Sequence, residues 1–151
     1  MSDLDIFEER EIIGVALRYA RSIDTKNFDL FMSCFTKDAL FGLPKLRMNP
    51  EMKLELALPF LDSLFGATQH VTTNFEVTVN GDSAAMRSLY IATHVWREQV
   101  SDPLFVMGGH YEDKLVRTDD GWRIHDRLLV NAWFTGDRAA IAAAGMAELF
   151  D

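Results

Sequence analysis

Two imidazoles and a carboxylate sit inside otherwise apolar stretches of this chain. Asp24 closes the run Tyr19-Ala20-Arg21-Ser22-Ile23-Asp24, His70 follows Thr68-Gln69, and His110 follows the pair Gly108-Gly109. Such groups, gathered in an apolar pocket, are the parts needed to move a proton beside a carbonyl. A carboxylate that accepts from one ring nitrogen fixes the tautomer and leaves the other nitrogen as the base. Each residue also has a plainer reading: Asp24 as a helix-end aspartate, His70 as an edge histidine, His110 as a histidine bonded to a backbone group. Tyr19 is either core with its hydroxyl satisfied or a donor to a substrate oxygen. His94 and His125 read as surface or supporting residues, and Arg127 and Asn131 share a strand face with Trp133. His110-x-Glu112, with His70 as a third ligand, is the one arrangement that could suit a metal, and nothing else supports it. There is no phosphate loop, no nucleophile elbow and no dinucleotide fingerprint, so neither metal nor cofactor is expected.

The elements that must position these groups are legible in outline. Residues from about Leu4 to Ile23 carry Ile12, Ala16, Tyr19 and Ile23 at helical spacing. Thr25 or Asn27 then caps a short second helix with Phe28, Phe31, Met32 and Phe35 on one stripe. Ala39-Leu40-Phe41 reads as a short strand. Asn49-Pro50-Glu51 starts a third helix that Pro59 should kink or split and Gly66 should end. Beyond it the period changes to two: Val71, Thr73, Phe75, Val77 and Val79 alternate with polar residues up to the hairpin signal Asn80-Gly81. Strict alternation puts His70 with Thr72 and Asn74, on the face opposite Val71 and Phe75. Long strands follow over Ala84 to Glu98, Phe105 to Arg117 and Trp122 to Phe134, with Gly108-Gly109 a bulge or close-approach point. An Ala-rich helix from Asp137 to Leu149 ends the chain. Helices first and an antiparallel meander afterwards make an α+β fold, with helices on the concave side of a strongly curved sheet.

Composition narrows the partners. The chain has 151 residues, 48% of them hydrophobic and 11 of them Phe, enough for one domain with a sizeable core. A net charge of −8 disfavours nucleic acid, an anionic membrane surface and polyanionic substrates. Cys34 alone cannot form an internal disulfide. The acidic first residues form no leader, and no apolar run spans a membrane, so a cytoplasmic domain covering residues 1–151 is expected. Trp96, Trp133 and Leu115 read as an outer sheet face apolar enough to pair copies into a dimer or trimer.

The order of elements, the segments Arg18 to Asp24 and Phe35 to Ala39, the strand opening Thr68-Gln69-His70, and the block Gly109 to Arg117 with Gly121-Trp122-Arg123-Ile124 resemble the SnoaL-like proteins. These form part of the nuclear transport factor 2-like superfamily, and the nearest likeness is to scytalone dehydratase-like proteins. The resemblance implies a conical α+β fold over nearly the whole chain. It implies Asp24 and His70 as a carboxylate–imidazole pair, His110 as a second histidine and Tyr19 as a pocket tyrosine, without cofactor. Phe41 to Leu43 offers no hydroxyl where the fungal enzymes carry a second tyrosine. The activity implied is a cofactor-independent dehydratase of a small, hydrophobic, ring-containing hydroxy-carbonyl compound. Polyketide cyclases, ketosteroid isomerase and oxygenase small subunits share the family, so cyclisation, isomerisation or a non-catalytic binding role are the alternatives.

Overall fold

The computed structural model describes residues 5–150; residues 1–4 and 151 lie outside it, including the Leu4 expected to open the first helix. Helix α1 runs over Ile6–Asp24, with Asp5 accepting from the Phe7 amide as N-cap and Glu8 and Glu9 in the first turn. Its buried stripe is Ile12, Val15, Ala16, Tyr19 and Ala20. Asn27 caps the five-residue helix α2, Phe28–Met32. The chain then enters strand β1, Phe35–Leu43, and the short β2, Leu46–Met48. Phe35 is therefore the first residue of a strand rather than the last of a helix, though it still packs in the core.

The third helix is split in the way a proline demands. Asn49 caps α3, Pro50–Met52; a π turn follows over Lys53–Ala57; then α4 covers Leu58–Leu64 with Pro59 in its first turn. Proline lacks the N–H that would bond the carbonyl four residues back, and its ring crowds that carbonyl. The wider turn relieves the crowding, with the Leu58 amide reaching back to the Lys53 carbonyl. Strand β3, Phe65–Asn80, begins one residue before Gly66, so His70 lies within a strand and not at its start.

Strands β3, β4 (Ser83–Trp96), β5 (Leu104–Thr118) and β6 (Gly121–Thr135) form the long meander. The six strands make one curved sheet in the order β2-β1-β6-β5-β4-β3. The sheet is mixed rather than wholly antiparallel, because β1 pairs parallel to β6. Helix α1 packs on its concave face against β3 and β6. The terminal segment is two helices, α5 (Arg138–Ala143) and α6 (Ala147–Phe150), separated at Gly145, which has φ +73°.

Register shifts decide which side chains point inward. In β3 the pairing to β4 slips between Thr73 and Glu76, where Asn74 sits at φ +55°. The alternation changes phase there: Thr68, His70 and Thr72 are the shielded residues before it, and Phe75, Val77 and Val79 after it. His70 thus shares the inner face with Phe75, not the opposite one. A second slip lies at Gly108/Gly109, where β6 carries one extra residue. A Cβ on Gly109 would stand 2.0 Å from the Val130 carbonyl oxygen, and one on Gly108 would stand 2.4 Å from the Trp133 ring.

The core joins α1, β1 and the inner faces of β4, β5 and β6 around Ile12, Phe31, Tyr111, Trp122 and Ile124. Leu115 belongs to this core at 1% exposure and Trp96 packs against it, so neither lies on the outer face as expected. Even parity along β4 and odd parity along β5 carry both residues inward. The convex face instead bears Val71, Ile91 and Trp133, aligned across β3, β4 and β6 with Gly108 between. Among the described residues no helix is long and apolar enough to cross a membrane.

The glycine geometry predicts opposite signs for two matched substitutions. Gly109→Ala forces backbone apart and costs at least about 2 kcal/mol. Gly14→Ala, in mid-α1 with nothing within 4 Å of the new methyl, stabilises by about 0.5–1 kcal/mol. Urea titrations of the two variants against the parent check both.

Candidate active site

Helix α1 delivers Asp24 at its C-terminal end, beside strand β3. Three donors converge there: Thr68 Oγ1 donates to Asp24 Oδ1 at 2.9 Å, the His70 amide to Oδ2 at 2.8 Å, and His70 Nδ1 lies 2.7 Å from Oδ1. A carboxylate only accepts, so Nδ1 carries the proton and Nε2 is the free basic nitrogen of the neutral ring. Both side chains are largely shielded, at 11% exposure for His70 and 23% for Asp24. Burial pushes the Asp24 carboxyl up, but hydrogen bonds from the His70 ring and amide and from Thr68 outweigh it and hold the group below the ordinary aspartate range.

Both residues line a cavity of about 750 Å³ between the sheet and the α3–α4 segment. That volume suits a ring-sized ligand. Its walls are mainly apolar: Phe41, Leu58, Leu61, Phe65, Phe105, Met107 and Leu129. Met146, between α5 and α6, also faces it, so the terminal segment contributes to closure.

Tyr19, Tyr90 and Tyr111 add phenols to the lining. Burial is the main cause that raises the pKa of all three, that of Tyr111 to about 12 and those of Tyr19 and Tyr90 also above the ordinary phenol value. They are therefore neutral hydrogen-bond groups at any working pH. Tyr90 is engaged with Asn131, whose side-chain amide also faces the Gly108 and Trp133 carbonyls. Behind Tyr19 and Tyr111 lies a buried bidentate pair, Arg127 to Asp113, with both bonds at 2.7 Å. The guanidinium carbon stands 4.4 Å from the Tyr19 ring centre and 4.1 Å from that of Tyr111. Arg127 thus faces inward, as a support beneath the phenols rather than a lining residue.

His110 is not in this cavity. It occupies the face of β5 opposite the buried Tyr111, and its Nε2 lies 3.1 Å from Glu112 Oε1 at the surface. The glycine bulge adds its extra residue to β6 and not to β5, so the parity of β5 is unbroken and even-numbered residues stay outside. The same separation disposes of a shared metal site for His70, His110 and Glu112; among the described residues no three such ligands cluster. His125 is also exposed, near Thr36 and Asp38.

Sequence reasoning passes over His94. It is 6% exposed, lines the cavity beside His70 with ring centres 5.9 Å apart, and bonds Nδ1 to the Phe105 carbonyl at 3.1 Å. Its face is readable from Met86, Tyr90 and Trp96 at even spacing, but Leu89, Ile91 and Val95 make the odd face equally apolar. Lys53 is passed over as well. The π turn sets it in the cavity wall, with Nζ 4.8 Å from the Phe41 ring centre, and burial pulls its ammonium down to about 8.

Burial, with the neighbouring His70 charge, brings His94 down to about 4. The unfolded chain binds a proton at this residue below about 6.5, while the folded chain stays neutral until about 4. Stability from this group is complete above the unfolded value and is lost as pH falls through that interval. Between pH 7 and 4.5 the loss is about 2–3 kcal/mol. In His94→Phe that share of the acid sensitivity disappears, which urea unfolding of both proteins at the two pH values measures.

Comparison with known proteins places the chain. A SnoaL-like domain matches residues 5–128. The chain is 32% identical over 132 residues to Uncharacterized protein Rv2910c of Mycobacterium tuberculosis, covering 85% of this chain and 88% of that one. The structure of Kfla4162 from Kribbella flavida superposes with a TM-score of 0.81 at 24% identity, over 89% of this chain and 97% of that one. A candidate scytalone dehydratase from Novosphingobium aromaticivorans superposes with a TM-score of 0.78 at 22% identity, over 89% and 91%. At these identities the two structures attest the fold alone. The match over most of its length makes this chain a member of the SnoaL-like domain family, with the fold of the nuclear transport factor 2-like superfamily.

Proposed function

We propose that this protein is a cofactor-independent lyase that removes water from a ring-sized hydroxy-carbonyl compound. One observation carries the reading: an imidazole whose tautomer is fixed by a buried carboxylate, set in an apolar cavity of about 750 Å³. His70 Nε2 takes the proton alpha to the carbonyl, and Asp24 stabilises the imidazolium that forms. The electron pair of the broken C–H bond moves onto the carbonyl oxygen as an enolate. Tyr19 donates to that oxygen; among the described residues its hydroxyl has no other hydrogen-bond partner, and its neutral phenol cannot act as a competing base. Collapse of the enolate forms the C=C bond and expels hydroxide from the beta carbon. The proton held on His70 neutralises it, so one water leaves and the imidazole is restored. His110 has no part in this, being on the far side of the sheet.

Isomerisation and cyclisation share the first step and differ only in what the enolate does next. Low local dielectric strengthens each polar contact in all three reactions. The aligned Val71, Ile91 and Trp133 support pairing of two copies through the convex face, away from the cavity.

A panel of ring ketones and their beta-hydroxy derivatives, each with and without a ring carboxylate, in deuterated water tests the proposal, with exchange at the alpha carbon followed by NMR and loss of one water by mass. Asp24→Asn and His70→Gln each lower both rates by about 100- to 10,000-fold while a cooperative thermal transition is retained, at a lower midpoint for Asp24→Asn because one of its three donors loses its acceptor. His110→Ala changes neither. Full exchange activity in both dyad variants, or no exchange by the parent on any panel member, defeats the lyase.

A further inference from the structure

One charged group lining the cavity has neither a part in the proton transfer nor an ion-pair partner among the described residues: the ammonium of Lys53. It opens the π turn between α3 and α4, and its ammonium stands over an aromatic face, Phe41. Most other structured cations near the cavity meet an acid. Lys26 and Arg97 share Asp62 at the rim, Arg47 meets Asp126, and Arg127 meets Asp113. Among the described residues no carboxylate lies within ion-pair distance of Lys53. Folding has therefore taken a cation partly out of water and supplied a ring in place of a counter-charge.

The charged and titratable groups around it are few. Lys26 and Asp62 pair with each other at the rim; Asp24 comes from α1, His70 from β3, His94 from β4, and the phenols of Tyr19, Tyr90 and Tyr111 from α1, β4 and β5. Asp24 already accepts from three donors, Thr68 and the amide and ring of His70, and makes no ion pair with Lys53 among the described residues. The Lys53 charge reaches His94, whose proton affinity it helps to depress, so lysine and imidazoles belong to one chamber. An ammonium over a ring face keeps N–H donors to spare. A single carboxylate supplies the missing charge and acceptors. A phosphate brings more negative charge than one ammonium offsets, in a protein of net charge −8.

We propose that Lys53 anchors the carboxylate of a monoanionic ring compound, so that this cavity selects ring carboxylates over neutral ring ketones and over phosphorylated compounds. The inference rests on the small-molecule site proposed above and adds its substrate class. With the carboxylate held on the helical wall, the remainder of the ring extends towards His70 on the sheet.

Calorimetric titration with three ligands of one shape tests it: 2-naphthoate, the neutral 2-acetylnaphthalene and 2-naphthyl phosphate. At pH 7 the parent binds naphthoate at least about tenfold tighter than the ketone and tighter than the phosphate. Because the anion needs the protonated amine, its advantage shrinks as pH rises from 7 to 9, through the value of about 8 for Lys53. Lys53→Met binds the ketone as before and loses the preference; Lys53→Arg keeps it, without the decline above pH 7. Equal binding of acid and ketone by the parent, an undiminished preference in Lys53→Met, tightest binding of the phosphate, or no binding of any of the three overturns the proposal. A carboxylate preference without alpha-proton exchange on any panel compound defeats the lyase and leaves the anion site standing. Exchange without the preference does the reverse.

Discussion

The Asp24 carboxylate fastens the end of α1 to strand β3 by accepting from Thr68 and from both the amide and the ring of His70. Strand β3 is an edge of the sheet, with β4 as its only partner strand. Edge strands present unpaired amides, and an unpaired amide shielded from water is costly. The carboxylate answers that need at His70 with the same group that orients the imidazole. Anchoring of the helix, protection of the edge and choice of tautomer are therefore one interaction. The side-chain amide introduced by Asp24→Asn has one acceptor oxygen for three donors and turns its NH2 towards one of them.

Most of the inner polarity is arranged around a second fixed unit. Burying Arg127 and Asp113 together carries a desolvation cost that only close, bidentate geometry offsets. The guanidinium lies against the rings of Tyr19 and Tyr111, so the pair also sets where those phenols stand. Its charge works against burial and moderates how far the pKa values of Tyr19 and Tyr111 rise. Tyr19, a lining residue of the cavity, is thus held by aromatic packing on one side and a cation on another.

Much of the architecture is legible in the sequence because the patterns it uses are local. The stripe of α1, the caps at Asn27 and Asn49, the split at Pro59, the hairpin at Asn80-Gly81 and the close approach at Gly108-Gly109 each depend on a few neighbouring residues. Asp24 and His70 also stand out by type and setting, and the structure brings them together. What strand alternation cannot supply is phase. One residue of slip reverses every side chain that follows, and Asn74 makes such a slip with nothing in its neighbours to announce it. For His110 and His94 the ambiguity runs the other way: each strand has apolar residues on both faces, because one face lines the core and the other is an exposed apolar surface. The parallel pairing of β1 with β6 is a long-range choice that no local period encodes.

The chamber is built of two materials with different mechanical character, and this division bears on how it works. His70, His94, Tyr90 and Tyr111 stand on long strands, each hydrogen-bonded to neighbours, and small displacements there are resisted by the whole sheet. Lys53 and Leu56 stand on the segment between two short helices, interrupted by a π turn and a proline. Leu56 and Phe60 remain largely exposed at 63% and 45%, on the side of the cavity that meets solvent. The proposed proton transfer would tolerate little error in distance, whereas admission of the proposed ring substrate would require a wall that can yield. Placing the imidazoles on the sheet and the solvent-facing hydrophobic side chains on the broken helix meets both demands. Packing changes in the α3–α4 segment can alter which ring is admitted while the bonds between Asp24 and His70, made on the opposite wall, keep their geometry.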